Sequence, residues 1–244
     1  MNQPVPPPAP AKGLIARATG IILSPRATFE DVVRAPRAVG ILFLCCLVIG
    51  ISAAAPQFTE RGRQAALDMQ VQQTERMMGR PLTDEMYQGL EGRSHYGGYF
   101  AIIGVFVGMP IWSLLLAAVF WAIFNALLGG TATFKQVLAV VTHSQVIGAL
   151  GAAISAPIQL VQGTVSVGGP FNLGALVPML AETSFVARFL GTVSVFTLWG
   201  LFVLAIGLAV LYKRKTTNIA IALIAVYALI TAAIIAAFGR MAGG

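Results

Sequence analysis

Apolar residues run almost without interruption through five stretches of the chain, 38–55, 99–128, 134–160, 189–212 and 219–238. About 20 helical residues cross the hydrocarbon core of a bilayer. Continuous runs of this length are helical spans rather than the alternating strands of a barrel. The pattern therefore predicts an all-α, polytopic integral membrane protein with five transmembrane helices. The second run is long enough to demand tilt and has Pro110 as a kink point, and Pro157 interrupts the third run late.

The polar stretches predict the remaining elements. Residues 1–11 are too rich in proline for a helix. In 13–23, Leu14, Ile15, Ala18, Ile21 and Ile22 recur on one helical face, with Lys12 and Arg17 on the other. This is the pattern of an amphipathic helix lying on the bilayer surface. Ser24 as N-cap and Pro25 at the first helical position restart the chain in a second short helix, 26–35, ended by Pro36. Glu30 and Asp31 sit in its first half, where the helix dipole favours acids. Residues 57–96 form the one sizeable polar segment, with helix formers through 58–78, a break at Arg80-Pro81 and a restart at Thr83. A helical hairpin outside the bilayer is expected there. Residues 161–184, rich in Gly, Ser and Pro, read as a loop that dips into the interface. The organisation is thus a 1–37 tail with short amphipathic helices and a 38–244 five-span domain.

Composition agrees with this picture. Hydrophobic residues are 57% and charged residues 10%, against roughly 25% charged in soluble domains, and the mean hydropathy is +0.81. Soluble globules, disordered chains and disulfide scaffolds are excluded. The net charge of +7 would suggest nucleic acid in a soluble protein; here no nucleic-acid partner is expected, and the charge orients the chain and meets anionic headgroups. Arg26, Arg34, Arg37, Lys135, Lys213, Arg214 and Lys215 flank one side of the spans, and Arg61, Arg63, Arg93, Arg188 and Arg240 the other. The excess places the amino terminus in the cytoplasm and the carboxyl terminus outside. The first apolar run has no cleavage site after it, so it is expected to stay in the mature protein. Adjacent Cys45 and Cys46 in that run read as packing residues.

Several passages together resemble the Yip family of five-span, Ypt/Rab-interacting membrane proteins. They are Ser24-Pro25-Arg26-Ala27-Thr28-Phe29 before the first span, and the sequence from Phe124-Asn125 through Gly129-Gly130 to Phe134-Lys135-Gln136 between the second and third. Pro157 and the terminal pair of spans joined by Lys213-Arg214-Lys215 complete the resemblance, over residues 24–238. It implies five spans with a cytoplasmic amino terminus. Eukaryotic members are associated with vesicle traffic and membrane shaping. The acidic-Tyr-Gly-Pro motif of their long amino-terminal domain is absent here, so Rab GTPase binding is not expected. The short tail and extended first loop resemble the prokaryotic branch, which implies a bacterial inner membrane.

Chemistry-bearing groups are sparse. The chain has no GxxxxGK, HExxH, CxxC or GxSxG motif, and its two histidines, His95 and His143, are far apart in sequence. No enzyme activity, metal or cofactor is expected. The third span is the most polar: Ser144, Gly148, Gly151, Ser155 and Gln159 fall at helical spacing in one small-and-polar stripe, with His143 and Gln145 beside it. Such a stripe suits close helix packing or a groove. His143 reads as a packed, hydrogen-bonded residue, and Gly104 and Gly108 form a GxxxG pair in the second span. Lys213, Arg214 and Lys215 are candidates for anionic-lipid contact. Trp112, Trp121 and Trp199 read as packing residues inside spans. The expected role is a membrane-organising or protein-interaction module that partners the lipid bilayer, itself or another membrane protein. The competing reading is a transporter or lipid-handling protein built on the third-span stripe.

Overall fold

A computed structural model describes residues 11–163, 169–177, 179 and 184–241, with the side chains of residue 76 and of 238–241 left aside. The chain begins with α1 (Leu14–Leu23) and α2 (Pro25–Arg34) and enters the first span with α3 (Val39–Ala54), which closes in a 3-10 turn, Ala55–Phe58. Next come α4 (Glu60–Met78) and α5 (Asp84–Ser94), then the long α6 (Gly97–Trp121), which ends in a π-helical turn, Ala122–Leu127. The third span is α7 (Phe134–Ser144) plus α8 (Val146–Gln162). A 3-10 turn, Leu173–Leu176, leads to α9 (Phe185–Thr192), α10 (Val195–Tyr212) and α11 (Thr216–Met241). Among the described residues, five segments are long and apolar enough to cross a membrane: Val39–Phe58, Gly97–Leu127, Phe134–Gln162, Val195–Tyr212 and Thr216–Ala237.

Local chemistry sets the boundaries. Thr59 and Thr83 cap α4 and α5 by accepting hydrogen bonds from the Gly62 and Met86 amides, and α4 ends at Gly79 in the left-handed conformation. Thr133 and Gln136 form a reciprocal capping box that starts α7. The Ser24 side chain makes no capping bond, although Pro25 does open α2 as expected.

Two expectations about the helices before and after the bundle's centre need correction. The fourth apolar run does not form one helix from residue 189. It breaks between α9 and α10, where extended Ser194 caps α10 through the Phe196 amide. Leu173 donates to the Val193 carbonyl and Val195 to that of Phe171, so the break pairs with the preceding loop instead of continuing as helix. Part of that loop, the residues between 164 and 183 that are not described, lies outside the account. The second correction concerns Arg17, expected on the water-facing side of α1. Arg17 is 2% exposed and Ile21 fully buried, while Ile15 is 63% exposed. The helix packs on α2, α7 and α8.

The inward turn of Arg17 has an electrostatic cause. Its Nε donates to Asp31 Oδ2 at 2.9 Å, and Nη2 lies 2.9 Å from the same oxygen. Arg34 Nη2 donates to Oδ1 at 2.7 Å, and the Lys12 amide donates to Oδ2 at 3.3 Å. Burial pushes the Asp31 carboxyl up, but the hydrogen bonds from Arg34 and Arg17, the Arg17 charge and the Lys12 amide together hold it below the usual carboxylate range. The paired charges let the α1–α2 hairpin bury Ile21, Phe29 and Val32 completely at one end of the bundle. Phe29 seats against Gly207 of α10, where an added Cβ would lie 2.8 Å from its ring.

The third span forms the centre of the molecule. Seven of the last eight residues of α7, from Val137 to Ser144 with Leu138 excepted, are buried. In α10, Val203, Leu204, Ala205, Gly207, Leu208 and Ala209 are buried beside it. Helices α6 and α11 are the outer members and expose rows of large apolar side chains, Ile103, Val107 and Ile111 on one and Ile221, Leu229 and Ile230 on the other. Trp112 and Trp121 point outward, 59% and 41% exposed, so they are not the interior packing residues expected; only Trp199 packs against the core. Cys45 and Cys46 are buried free thiols, and Cys46 Sγ lies 3.6 Å from Met109 Sδ.

Candidate functional site

Thr142, His143 and Ser144 of the third span bond back along their own helix. Thr142 Oγ1 donates to the Leu138 carbonyl at 2.9 Å and Ser144 Oγ to that of Val141 at 2.7 Å. His143 Nδ1 lies 2.7 Å from the Ala139 carbonyl; a carbonyl only accepts, so this nitrogen carries the proton. Buried Nε2 then has no hydrogen-bond partner among the described residues. Such back-bonding competes with the i→i−4 ladder, and the helix is interrupted immediately afterwards, at Gln145 between α7 and α8.

At that break Gln145 crosses to the second span. Its Nε2 donates to Ser113 Oγ at 2.8 Å, and Ser113 donates to the Met109 carbonyl at 2.6 Å. Gln145 Oε1 is buried and unpaired among the described residues. Gln145 also lines a largely apolar groove of about 630 Å³ walled by α3, α6 and the α7–α8 junction. Ser144, Gln145 and Gly148 line it on one side, Gly104, Gly108 and Trp112 on the other. No atom lies within 4 Å of where a Cβ would stand on Gly104, Gly108 or Gly148. All three glycines are open to whatever enters the groove.

The five residues of the predicted stripe are not brought together on one face. Ser144 and Gly148 face the groove. Gly151 turns to α10, where its Cβ would lie 2.6 Å from Phe196 Cγ. Ser155 and Gln159 are half-buried beneath the returning loop, their polar atoms 3.4 and 3.8 Å from the position of a Cβ on Gly169. The break at Gln145 and the different neighbours of each turn divide the stripe. Ser113 was not singled out by its sequence context; a lone serine three residues after Pro110 on an apolar helix was the available signal.

Lys213, Arg214 and Lys215 stand apart from the groove, exposed in the link between α10 and α11. Lys213 ends α10 at φ +53°, a left-handed position uncommon for a residue with a side chain. Among the described residues, no group of three or more His, Cys, Asp or Glu side chains could hold a metal ion.

No curated protein and no solved structure matches this chain. The family model described as the Yip1 domain matches residues 19–238, from within α1 to the last turns of α11. The chain is therefore a member of the Yip1-domain family of membrane proteins.

Proposed function

We propose that the protein is a non-enzymatic interaction module whose groove between the second and third spans receives a membrane-spanning helix, from a second copy or from another membrane protein. The observation that carries this reading is the set of three glycines, Gly104, Gly108 and Gly148, converging on one groove with nothing of the chain itself against them. Small residues at helix–helix contacts in lipid let backbones approach closely.

The test replaces Gly104 and Gly148 with leucine in the full chain and compares crosslinked adducts in native membranes. Adducts should be lost while the melting temperature in detergent holds, because the added side chains meet open space. Gly151→Leu is the contrasting variant. It collides with Phe196 and should lower stability by about 1–3 kcal/mol. Adducts that persist in the Gly104→Leu/Gly148→Leu protein would remove the groove from helix docking. Loss of copurifying lipid in place of adducts would favour the lipid-handling reading.

The proposed setting is the cytoplasmic membrane of a bacterium, with the amino terminus inside. The seven basic residues beside the inner span ends, against five on the other side, support it. A reporter active only outside the cytoplasm, fused after Gly244, should be active, and a cytoplasmic one silent. The reverse result would refute this orientation.

A further inference from the structure

Two tight turns meet at the end of the bundle that carries the basic link. Phe124, in the π-helical turn after α6, stacks on Tyr212 at the end of α10 with ring centroids 4.5 Å apart. Gly130 permits this closeness, because a Cβ there would lie 2.7 Å from the Tyr212 ring. Arg214 Nη2 reaches back to the Leu128 carbonyl at 3.4 Å, and Asn125 Nδ2 donates to the Ala132 carbonyl at 2.6 Å. Between the turns lies a cavity of about 370 Å³, lined by Tyr212, Lys213, Arg214, Thr131 and Gln136 among others.

Three independent observations suit this cavity to an anion. The Tyr212 hydroxyl is buried without a hydrogen-bond partner among the described residues, and an unmade bond at such a group is costly. Lys135, Lys213, Arg214 and Lys215 are exposed, and none is in an ion pair among the described residues. From residue 92 onward the sequence holds a single acidic residue, Glu182, which lies outside the described residues. Helix α2, whose Val33 lines the cavity, brings Glu30 and Asp31 to this end of the bundle, but both are already paired, with Arg26 and with Arg17 and Arg34, so the four exposed cations keep their positive field. Its level relative to the bilayer is marked by Trp121, which is exposed on the outer surface while its indole N–H donates to the Ala132 carbonyl of the same turn at 3.1 Å. A ring that is apolar on one side and hydrogen-bonded on the other is typical of the membrane–water boundary.

We propose that this cavity binds a phosphate ester, the headgroup of an anionic glycerophospholipid, with Lys213 and Arg214 neutralising the phosphate and the Tyr212 hydroxyl donating to it. Exposed Leu127 and Leu128 next to the opening give the acyl chains an apolar surface. This site is separate from the groove, and either proposal stands without the other.

The experiment titrates the full-length protein in detergent with phosphatidylglycerol, phosphatidylcholine of the same chains and glycerol 3-phosphate, and reads the melting temperature. Tyr212→Phe keeps the ring stack and removes only the hydroxyl. Lys213→Gly/Arg214→Gln removes two charges and places glycine where φ is positive. Phosphatidylglycerol should raise the melting temperature of the unaltered protein where phosphatidylcholine does not. Its midpoint should weaken about tenfold in Tyr212→Phe, the loss of one hydrogen bond to a charged group, and further in the double variant. Without lipid, Tyr212→Phe should melt no lower than the parent, which separates lost binding from lost folding. Equal effects of the two lipids, or an unchanged midpoint in both variants, would overturn the site. Protection by glycerol 3-phosphate equal to that by the lipid would retain the phosphate site and overturn the lipid source.

Discussion

Asp31→Asn should destabilise the protein by about 3–5 kcal/mol, the usual consequence of leaving one member of a buried ion pair uncompensated. Arg17 and Asp31 are 2% and 5% exposed, so water cannot replace the lost carboxylate charge. Melting in detergent would register the loss, and limited proteolysis should show cleavage near α1 before the spans are affected. The double variant Arg17→Met/Asp31→Leu should recover most of the stability, since apolar residues of similar volume often replace a buried pair at no cost. A double variant as unstable as the single one would mean that the charges also organise something beyond their own neutralisation. The pH dependence has a definite sign. A carboxyl held low in the folded state contributes stability above its unfolded value, near 4, and loses it as pH falls through the folded value. Docking of the hairpin should therefore be insensitive to pH above about 5 and weaken only in stronger acid.

The second large effect is expected where α2 meets α10. At Gly207 an added Cβ would lie 2.6 Å from Val140 Cγ1 and 2.8 Å from Phe29 Cε1. Gly207→Ala should cost about 1–3 kcal/mol by overpacking. Phe29→Ala empties a fully buried site and should cost about 3–5 kcal/mol. Because the same ring is involved in both, the double variant should be less unstable than the sum of the two. Strict additivity in thermal or urea unfolding would show that Phe29 can yield to a side chain at Gly207 without loss.

The five spans were legible because a bilayer imposes length and apolarity on any helix that crosses it, and both quantities are visible in the residues themselves. Where two long-range effects competed with the local pattern, the reading failed. At 13–23 the apolar spacing was real, but it could not tell that Asp31, on another helix, turns Arg17 inward. Around 189–195 hydropathy ran on while Ser194 took the capping position and its neighbours paired with the loop around Asn172. Trp112 and Trp121 lie on a helix that is apolar nearly all round, so no moment told which side faces the protein. The candidate site was half legible. Gly104, Gly108, Ser144 and Gly148 stood out as small or polar, but the residues alone did not tell that Ser144 and Gly148 face an open groove while Gly151 meets Phe196.

The seating of Phe29 against Val140 and Gly207 has a consequence for biosynthesis. A ribosome makes the α1–α2 hairpin before the third and fourth spans, whose surfaces bury it. At about 5–20 residues per second, on the order of ten seconds or more separates Phe29 from Gly207. Throughout that interval Arg17, Asp31 and the apolar face of the hairpin must wait in water or among headgroups. Docking of the hairpin can therefore follow only the insertion of the fourth span. Its protection from protease during translation would time the moment at which the bundle closes, so that a segment made before the spans docks only after the fourth of them.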